Sequence, residues 1–256
     1  MAALTLKCAV RSDVGRRQNN EDTVFASAKL AAVADGVGGA AAGEVASGWI
    51  IQALIHLDKC RLEKRLDDAL LDAVAWGNDT IRFVAECRPH MTGMSTTLTA
   101  VALSNAGEYV VANLGDSRTY LLRDGALTRL TRDDSFIQEL LDRGQITAEQ
   151  ARRHPQRSLV LRALDGGPER RPAIATIAAR SGDRLLLCSD GLSDVVDDDV
   201  LADTLEGHGP ARACADRLVE LALRAGARDN VSVIVADVVP RHDPAAAWQP
   251  PLALAG

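Results

Sequence analysis

The residues of this 256-residue chain whose types and spacing could do chemistry are its acids. Glu21 and Asp22 follow a first alternating segment and precede a short apolar run. Asp35 ends the run 29–34 and is followed by Gly36. Asp116 stands one glycine beyond the run 108–114. Asp190 closes the run 183–188, with Asp194 four residues on, and Asp229 precedes the last β-branched stretch, 231–239. Strand ends of one sheet can meet at one edge. Carboxylates crowded there raise one another's pKa, and divalent cations remove that penalty. An all-oxygen set without nearby His or Cys suits Mg²⁺ or Mn²⁺ rather than Zn²⁺. The Gly after Asp35 lets the backbone come close enough for its carbonyl to join the set. Each acid taken singly reads equally well as a turn or cap residue; five at strand boundaries argue for one shared site. Two hard ions about 3.5–4 Å apart can hold a water and lower its pKa. A phosphate ester is the natural electrophile, and Arg17, four residues before Glu21, is the cation that would grip its oxygens.

The elements that must position these residues are legible in outline. Residues 3–10 alternate as a strand, and 96–103 and 108–114 are two more, separated by a turn. Residues 118–130 read as a hairpin about an Asp-Gly turn, and 173–178, 183–188 and 231–239 are further strands. Helices are expected over 43–59, 61–87, 197–206 and 210–225. This is not the strict alternation of a parallel sheet. It fits two antiparallel sheets with helices packed outside, although the strand order does not follow from the pattern. Residues 133–170 are polar, with room for two short helices, and read as a mobile flap. Residues 241–256, rich in Pro and Ala, are expected to fray as a C-terminal tail. Residues 1–240 would then be one catalytic domain.

Composition narrows the function. Twenty-nine Lys and Arg against 35 Asp and Glu give a net charge of −6, which disfavours nucleic acid as a partner. No apolar run reaches membrane-spanning length, and the N-terminus lacks the pattern of a secretion signal. Five cysteines, Cys8, Cys60, Cys87, Cys188 and Cys214, show no Cys-x-x-Cys spacing and read as reduced, partly buried thiols of a cytoplasmic protein. None has an Arg six positions later, as a nucleophilic phosphatase cysteine would need.

Six segments together resemble the protein phosphatase 2C family of metal-dependent serine/threonine phosphatases, its bacterial branch in particular. They are Ser12–Asp22, Val33–Gly39, Gly93–Thr97, Asn113–Arg118, Ser189–Asp194 and Arg228–Ser232. The resemblance implies an α+β fold: a four-layer β-sandwich of two antiparallel sheets flanked by helices on both sides, with two Mn²⁺ or Mg²⁺ ions at one end. It implies that Asp35 bridges the ions and Gly36 offers its carbonyl, while Asp190 and Asp229 complete the coordination of the second ion. Asp116 with Asp190 would form a weaker third site, and the polar stretch 133–170 would be the flap beside the active site. Glu21 would orient the attacking water, Asp22 would support the site by hydrogen bonding, and Arg17 would bind the phosphate. The implied partners are phosphorylated proteins, including a cognate serine/threonine kinase, met by a monomer. Three departures stand out. The loop before Arg17 is one residue short. Val37 replaces the His that animal members use as general acid, which leaves that role unassigned; His154 reads as an exposed polar residue. Asp134 stands where the family often has His.

Two other readings compete. Gly36-Val37-Gly38-Gly39-Ala40-Ala41 after a strand, with Asp58 beyond, matches a dinucleotide-binding fingerprint, but Asp35 would repel a pyrophosphate and no βαβ pattern follows. A pseudophosphatase that only docks phosphoproteins would be expected to have lost one of the acids or Arg17.

Overall fold

The computed structural model describes residues 3–38, 42–60, 64–168, 170–207, 209–241 and 252–255. The chain begins with β1 (Leu4–Asp13), β2 (Thr23–Ala26), β3 (Leu30–Ala34) and the two-residue β4 (Gly36–Val37). Helices α1 (Gly43–Lys59) and α2 (Leu66–Cys87) follow. Then come β5 (Ser95–Thr96), β6 (Leu98–Leu103), β7 (Glu108–Leu114), β8 (Arg118–Arg123) and β9 (Ala126–Arg129). The polar segment holds α3 (Phe136–Asp142) and α4 (Ala148–Arg152). The rest is β10 (Ala173–Ala178), β11 (Arg184–Cys188), the short α5 (Asp190–Ser193), α6 (Asp198–Gly207), α7 (Ala211–Arg224), β12 (Val231–Pro240) and β13 (Leu252–Ala255).

One sheet has the order β1-β12-β11-β8-β9 and the other β10-β7-β6-β3-β2-β13. Their strand pairs are antiparallel throughout, which excludes the dinucleotide-binding architecture. Residues 39–41 of that fingerprint lie outside the described residues.

Alternation along each strand sorts its side chains between two cores. On β3, Leu30, Ala32 and Ala34 pack with Ile50 and Leu54 of α1 and Leu70 and Val74 of α2. Ala31 and Val33 instead meet Leu185, Leu187, Ile234 and Ala236 of the opposite sheet. On the far side, Leu186, Cys188, Val231, Val233 and Val235 pack with Leu201 of α6 and Leu218 and Ala222 of α7. The result is the four layers expected, helix–sheet–sheet–helix. Because these strands are covered on both faces, 185–188 and 231–236 read as near-continuous apolar runs. Few aromatics are needed, since Ala on β3 and α1 lets helix and sheet approach closely.

The structure differs from the sequence expectation in several places. Helix α2 starts at Leu66, and residues 61–63 lie outside the described set. The β4–β5 ribbon and α5 carry no periodic signal of their own. The tail does not simply fray: Leu252–Ala255 pair antiparallel with β2, while 242–251 lie outside the described residues. The hairpin turn is as expected, with Asp124 (φ 53°) and Gly125 (φ 76°) both left-handed, the geometry an Asp-Gly hairpin favours.

Candidate metal centre

The acids are brought together by strand ends. Asp35 follows β3, Asp116 follows β7 after Gly115, and Asp190 follows β11. Asp229 precedes β12, and Glu21 and Asp22 precede β2. A cleft of about 500 Å³ is lined by Arg17, Glu21, Asp35, Gly36, Asp116, Asp190 and Asp229. Of the sequence-derived site residues, Asp22 alone stands outside its lining. It is buried, and its Oδ2 accepts a hydrogen bond from Ser189 Oγ (2.9 Å).

Local chemistry explains the placement. Asn230 holds the loop before Glu21: its Nδ2 donates to the carbonyls of Val14 (3.0 Å) and Asn19 (2.9 Å), and its Oδ1 accepts from the Glu21 N–H (2.8 Å). Ser47 of α1 donates to the Glu21 carbonyl (2.7 Å). Gly36 has no room for a side chain, since a Cβ there would lie 2.4 Å from the Gly43 carbonyl and 2.6 Å from the Glu21 carbonyl. Asp35 is fixed through its backbone: its N–H donates to Thr97 Oγ1 (3.2 Å), and its carbonyl accepts from Thr96 Oγ1 and the Thr97 N–H (both 2.9 Å).

The electrostatics are those of acids that need cations. Burial first, and then Asp22, Asp190, Asp116 and Asp229, push Asp35 well above the usual carboxylate range. Asp190 is raised in the same way, by burial and then by Asp116, Asp194 and Asp229. Asp116 is pushed up to about 7 by burial, Asp133 and Asp194. Asp22 is pushed up to about 6, chiefly by burial, and burial also raises Glu21. Asp190 Oδ1 is buried with no hydrogen-bond partner, an acceptor without a donor in the heart of the cluster. Among the described residues no group of three or more His, Cys, Asp or Glu side chains is arranged to hold a metal ion by itself. The acids ring the cleft instead, as suits hard ions whose shells are completed by backbone carbonyls and water. An all-oxygen donor set of raised pKa with an orphaned carboxylate oxygen fits a divalent metal.

Arg17 projects at the mouth, more than half exposed, and its Nη2 donates to Asp229 Oδ2 (2.7 Å). That hydrogen bond, first, and the charge of Asp229 raise its pKa.

A model of the family described as protein phosphatase 2C matches residues 11–225. The chain belongs to that family. It is 52% identical over 237 residues to the serine/threonine protein phosphatase PstP of Mycobacterium tuberculosis, covering 92% of this chain but 46% of PstP. The chain therefore spans about half the length of that relative. It is 35% identical over 239 residues to the serine/threonine phosphatase stp of Listeria monocytogenes, covering 89% of this chain and 94% of that protein. A crystal structure of the catalytic domain of PstP in complex with two manganese ions superposes with a TM-score of 0.86 at 49% identity, covering 92% of this chain and 99% of the other.

As a protein phosphatase 2C member, the chain shows what sequence reasoning missed. Ser158 and Val160, from the polar segment, line the cleft; nothing in their local sequence marks them. Gln18, Asn19 and Asn230 line it too. His154 is not part of the lining; its ring lies 6.0 Å from that of Phe136. Cys188 and Cys214 are buried, their thiols pushed up to about 12 and about 11 by burial, which leaves them without thiolate character. No helix among the described residues is long and apolar enough to cross a membrane.

Proposed function

We propose that this protein removes phosphate from phosphoserine and phosphothreonine in proteins, by direct attack of water on phosphorus and without a covalent phosphoenzyme. The observation that carries this reading is the convergence of Asp35, Asp116, Asp190 and Asp229, from four separate strand ends, on one cleft with Arg17 at its mouth. Two Mn²⁺ or Mg²⁺ ions, when bound, would activate the attacking water at neutral pH. Asp35 would serve both ions and Gly36 would offer its carbonyl, with Asp190 and Asp229 completing the set around the second ion. Asp116 with Asp190 would hold a weaker third ion.

The protein's own groups do the rest. Arg17 has five N–H donors; one faces Asp229, and those on its open side bind the substrate phosphate. Glu21, made less acidic by burial, orients the water. Asp22, anchored by Ser189, holds the floor of the site. Among the described residues no His, Lys, Tyr or Cys lines the cleft, and water is the proposed proton donor to the departing serine oxygen. The partners are a serine/threonine kinase of the same cell and its substrates, met by a cytoplasmic monomer.

The test is hydrolysis of para-nitrophenyl phosphate and a phosphothreonine peptide with Mn²⁺ and with chelator. Turnover that depends on Mn²⁺ is expected for both. Full activity in chelator, or none with Mn²⁺, would overturn the reading.

A further inference from the structure

The polar segment that begins at Asp133 supplies Ser158 and Val160 to the cleft wall, and, besides the ion pairs of Arg152 with Asp197 and Arg157 with Asp194, it is stitched at two points to loops of the cleft. Its incoming limb is held at Asp134. The Asp134 N–H donates to the Gly115 carbonyl (2.8 Å), and the Gly115 N–H donates back to Asp134 Oδ2 (3.2 Å). The Asp134 carbonyl accepts from the Leu161 N–H (2.8 Å), and Arg162 Nη1 lies 3.4 Å from Asp134 Oδ1. One aspartate thus closes the start of the segment on its end and pins both to the residue before Asp116. Gly115 is a position that only glycine fills without strain. Its φ is +105°, and a Cβ there would lie 2.6 Å from Thr97 Cβ.

The outgoing limb is held at Leu164, which exchanges both main-chain hydrogen bonds with Thr96 (3.0 and 2.8 Å). Thr96 in turn donates to the Asp35 carbonyl. Between the two anchors, Ser158 and Val160 reach the cleft. The flap is therefore tied to the two loops that carry Asp116 and Asp35. Asp133, next in sequence, serves a different end: it is buried and paired with Arg118 on β8 (2.6 Å).

We propose that Asp134 is a positioning residue: it registers the flap against the loop of Asp116, so that the flap's placement over a phosphopeptide and metal affinity at Asp116 rise and fall together. This rests on the phosphatase reading of the cleft. Asp134 does not line the cleft and touches no reacting atom. Its carboxylate supplies an acceptor for the Gly115 N–H and a charge for Arg162. Asn keeps the acceptor and loses the charge, whereas Ala loses both, so the ranking is Asp, then Asn, then Ala.

The experiment compares the full chain with its Asp134→Ala and Asp134→Asn variants. Trypsin cleavage at the exposed flap arginines Arg143, Arg152, Arg153 and Arg157 reports flap release. Mn²⁺ calorimetry reports the metal sites, and steady-state kinetics compare a phosphopeptide with para-nitrophenyl phosphate. Loss of a charge-assisted hydrogen bond should make flap cleavage in Asp134→Ala about 10-fold faster, raise phosphopeptide KM about 5- to 10-fold and weaken the weakest Mn²⁺ site about 5-fold, with Asn between. Para-nitrophenyl phosphate kcat at saturating Mn²⁺ should stay within about twofold, since a small ester does not meet the flap. A folded Asp134→Ala protein with the parent's trypsin rate and peptide KM would overturn the proposal. If the Ala variant does not fold, Asp134→Asn and Arg162→Gln decide it: parent-like trypsin rates in both would overturn it. Trypsin and calorimetry need no turnover, so a parent protein without Mn²⁺-dependent hydrolysis would sink the phosphatase reading while flap anchoring was still measured.

Discussion

Asp190 carries more of the site's charge conflict than its position after β11 alone would suggest. Burial and the neighbouring Asp116, Asp194, Asp229 and Asp22 all push its pKa up, and its Oδ1 faces no donor. Asp190→Asn keeps the volume and removes the charge. It is expected to lower kcat at least ~100-fold and to weaken Mn²⁺ binding, because ligand charge is what a hard ion needs. The metal-free variant should melt no lower than the parent, since repulsion has been relieved. Parent-like turnover in this variant would remove the metal assignment. Arg17→Ala should act differently. An exposed guanidinium that grips phosphate in ground and transition state alike affects binding, so KM should rise about 10-fold with a smaller change in kcat. A collapse of kcat at constant KM would give Arg17 another role. All the acids were legible in the sequence because each is a charge set abruptly at the end of an apolar run, which is a local signal. Ser158 and Val160 were not, because they reach the cleft through a polar segment whose path is set by bonds to Gly115 and Thr96. The span of Asn230 across the 14–21 loop was hidden for the same reason: its partners lie more than 200 residues away in the chain.

At the scale of elements, the two sheets are tied together at the end opposite the cleft. Tyr109, at the start of β7, donates to Asp183 Oδ2 (2.7 Å), and Arg123, at the end of β8, grips the same carboxylate with two N–H groups (both 2.7 Å). Asp183 is 2% exposed, and its two partners belong to different sheets. The Arg123 and Tyr109 hydrogen bonds outweigh burial and hold its pKa below the usual range. Breaking a buried pair from one side costs about 3–5 kcal/mol. Asp183→Asn should therefore lower Tm by about 10 °C, while Mn²⁺ affinity and KM stay at parent values because the cleft is at the other end of the strands. A change in metal affinity as large as the change in stability would mean that the sheets transmit strain along their length. The strands themselves were readable from β-branched and apolar runs bounded by turns. Their order was not, since it depends on pairings such as Cys8 with Ala236, which no window of sequence contains. Strand β13 escaped for a related reason: Leu252–Ala255 is a weak apolar run that becomes a strand because β2 offers it an edge.

For the whole molecule, the cost of keeping a cluster of acids at one end should appear as an unusual response to pH. The ion-paired carboxylates away from the cleft, such as Asp183 and Asp165, have lowered pKa values; above about pH 5 they are ionised folded and unfolded, and they add no slope. The cleft acids behave in the opposite sense. Asp116 titrates at about 7 in the fold against an ordinary value of 3.8, and Asp22 at about 6. Asp35 and Asp190 are also raised. Between these limits the folded, metal-free protein holds protons that the unfolded chain has released, and stability falls as pH rises wherever the folded state binds more protons. In chelator, Tm should drop steadily from pH 5 to about 7. With saturating Mn²⁺ the sign should reverse over the same window. Cations and protons compete for the same oxygens, so metal affinity, and with it the stabilisation from binding, grows as the protons leave. Thermal melts at half-unit steps of pH, with and without Mn²⁺, should therefore diverge towards neutrality. Parallel curves would mean that these acids do not share a metal, however close the folded chain brings them.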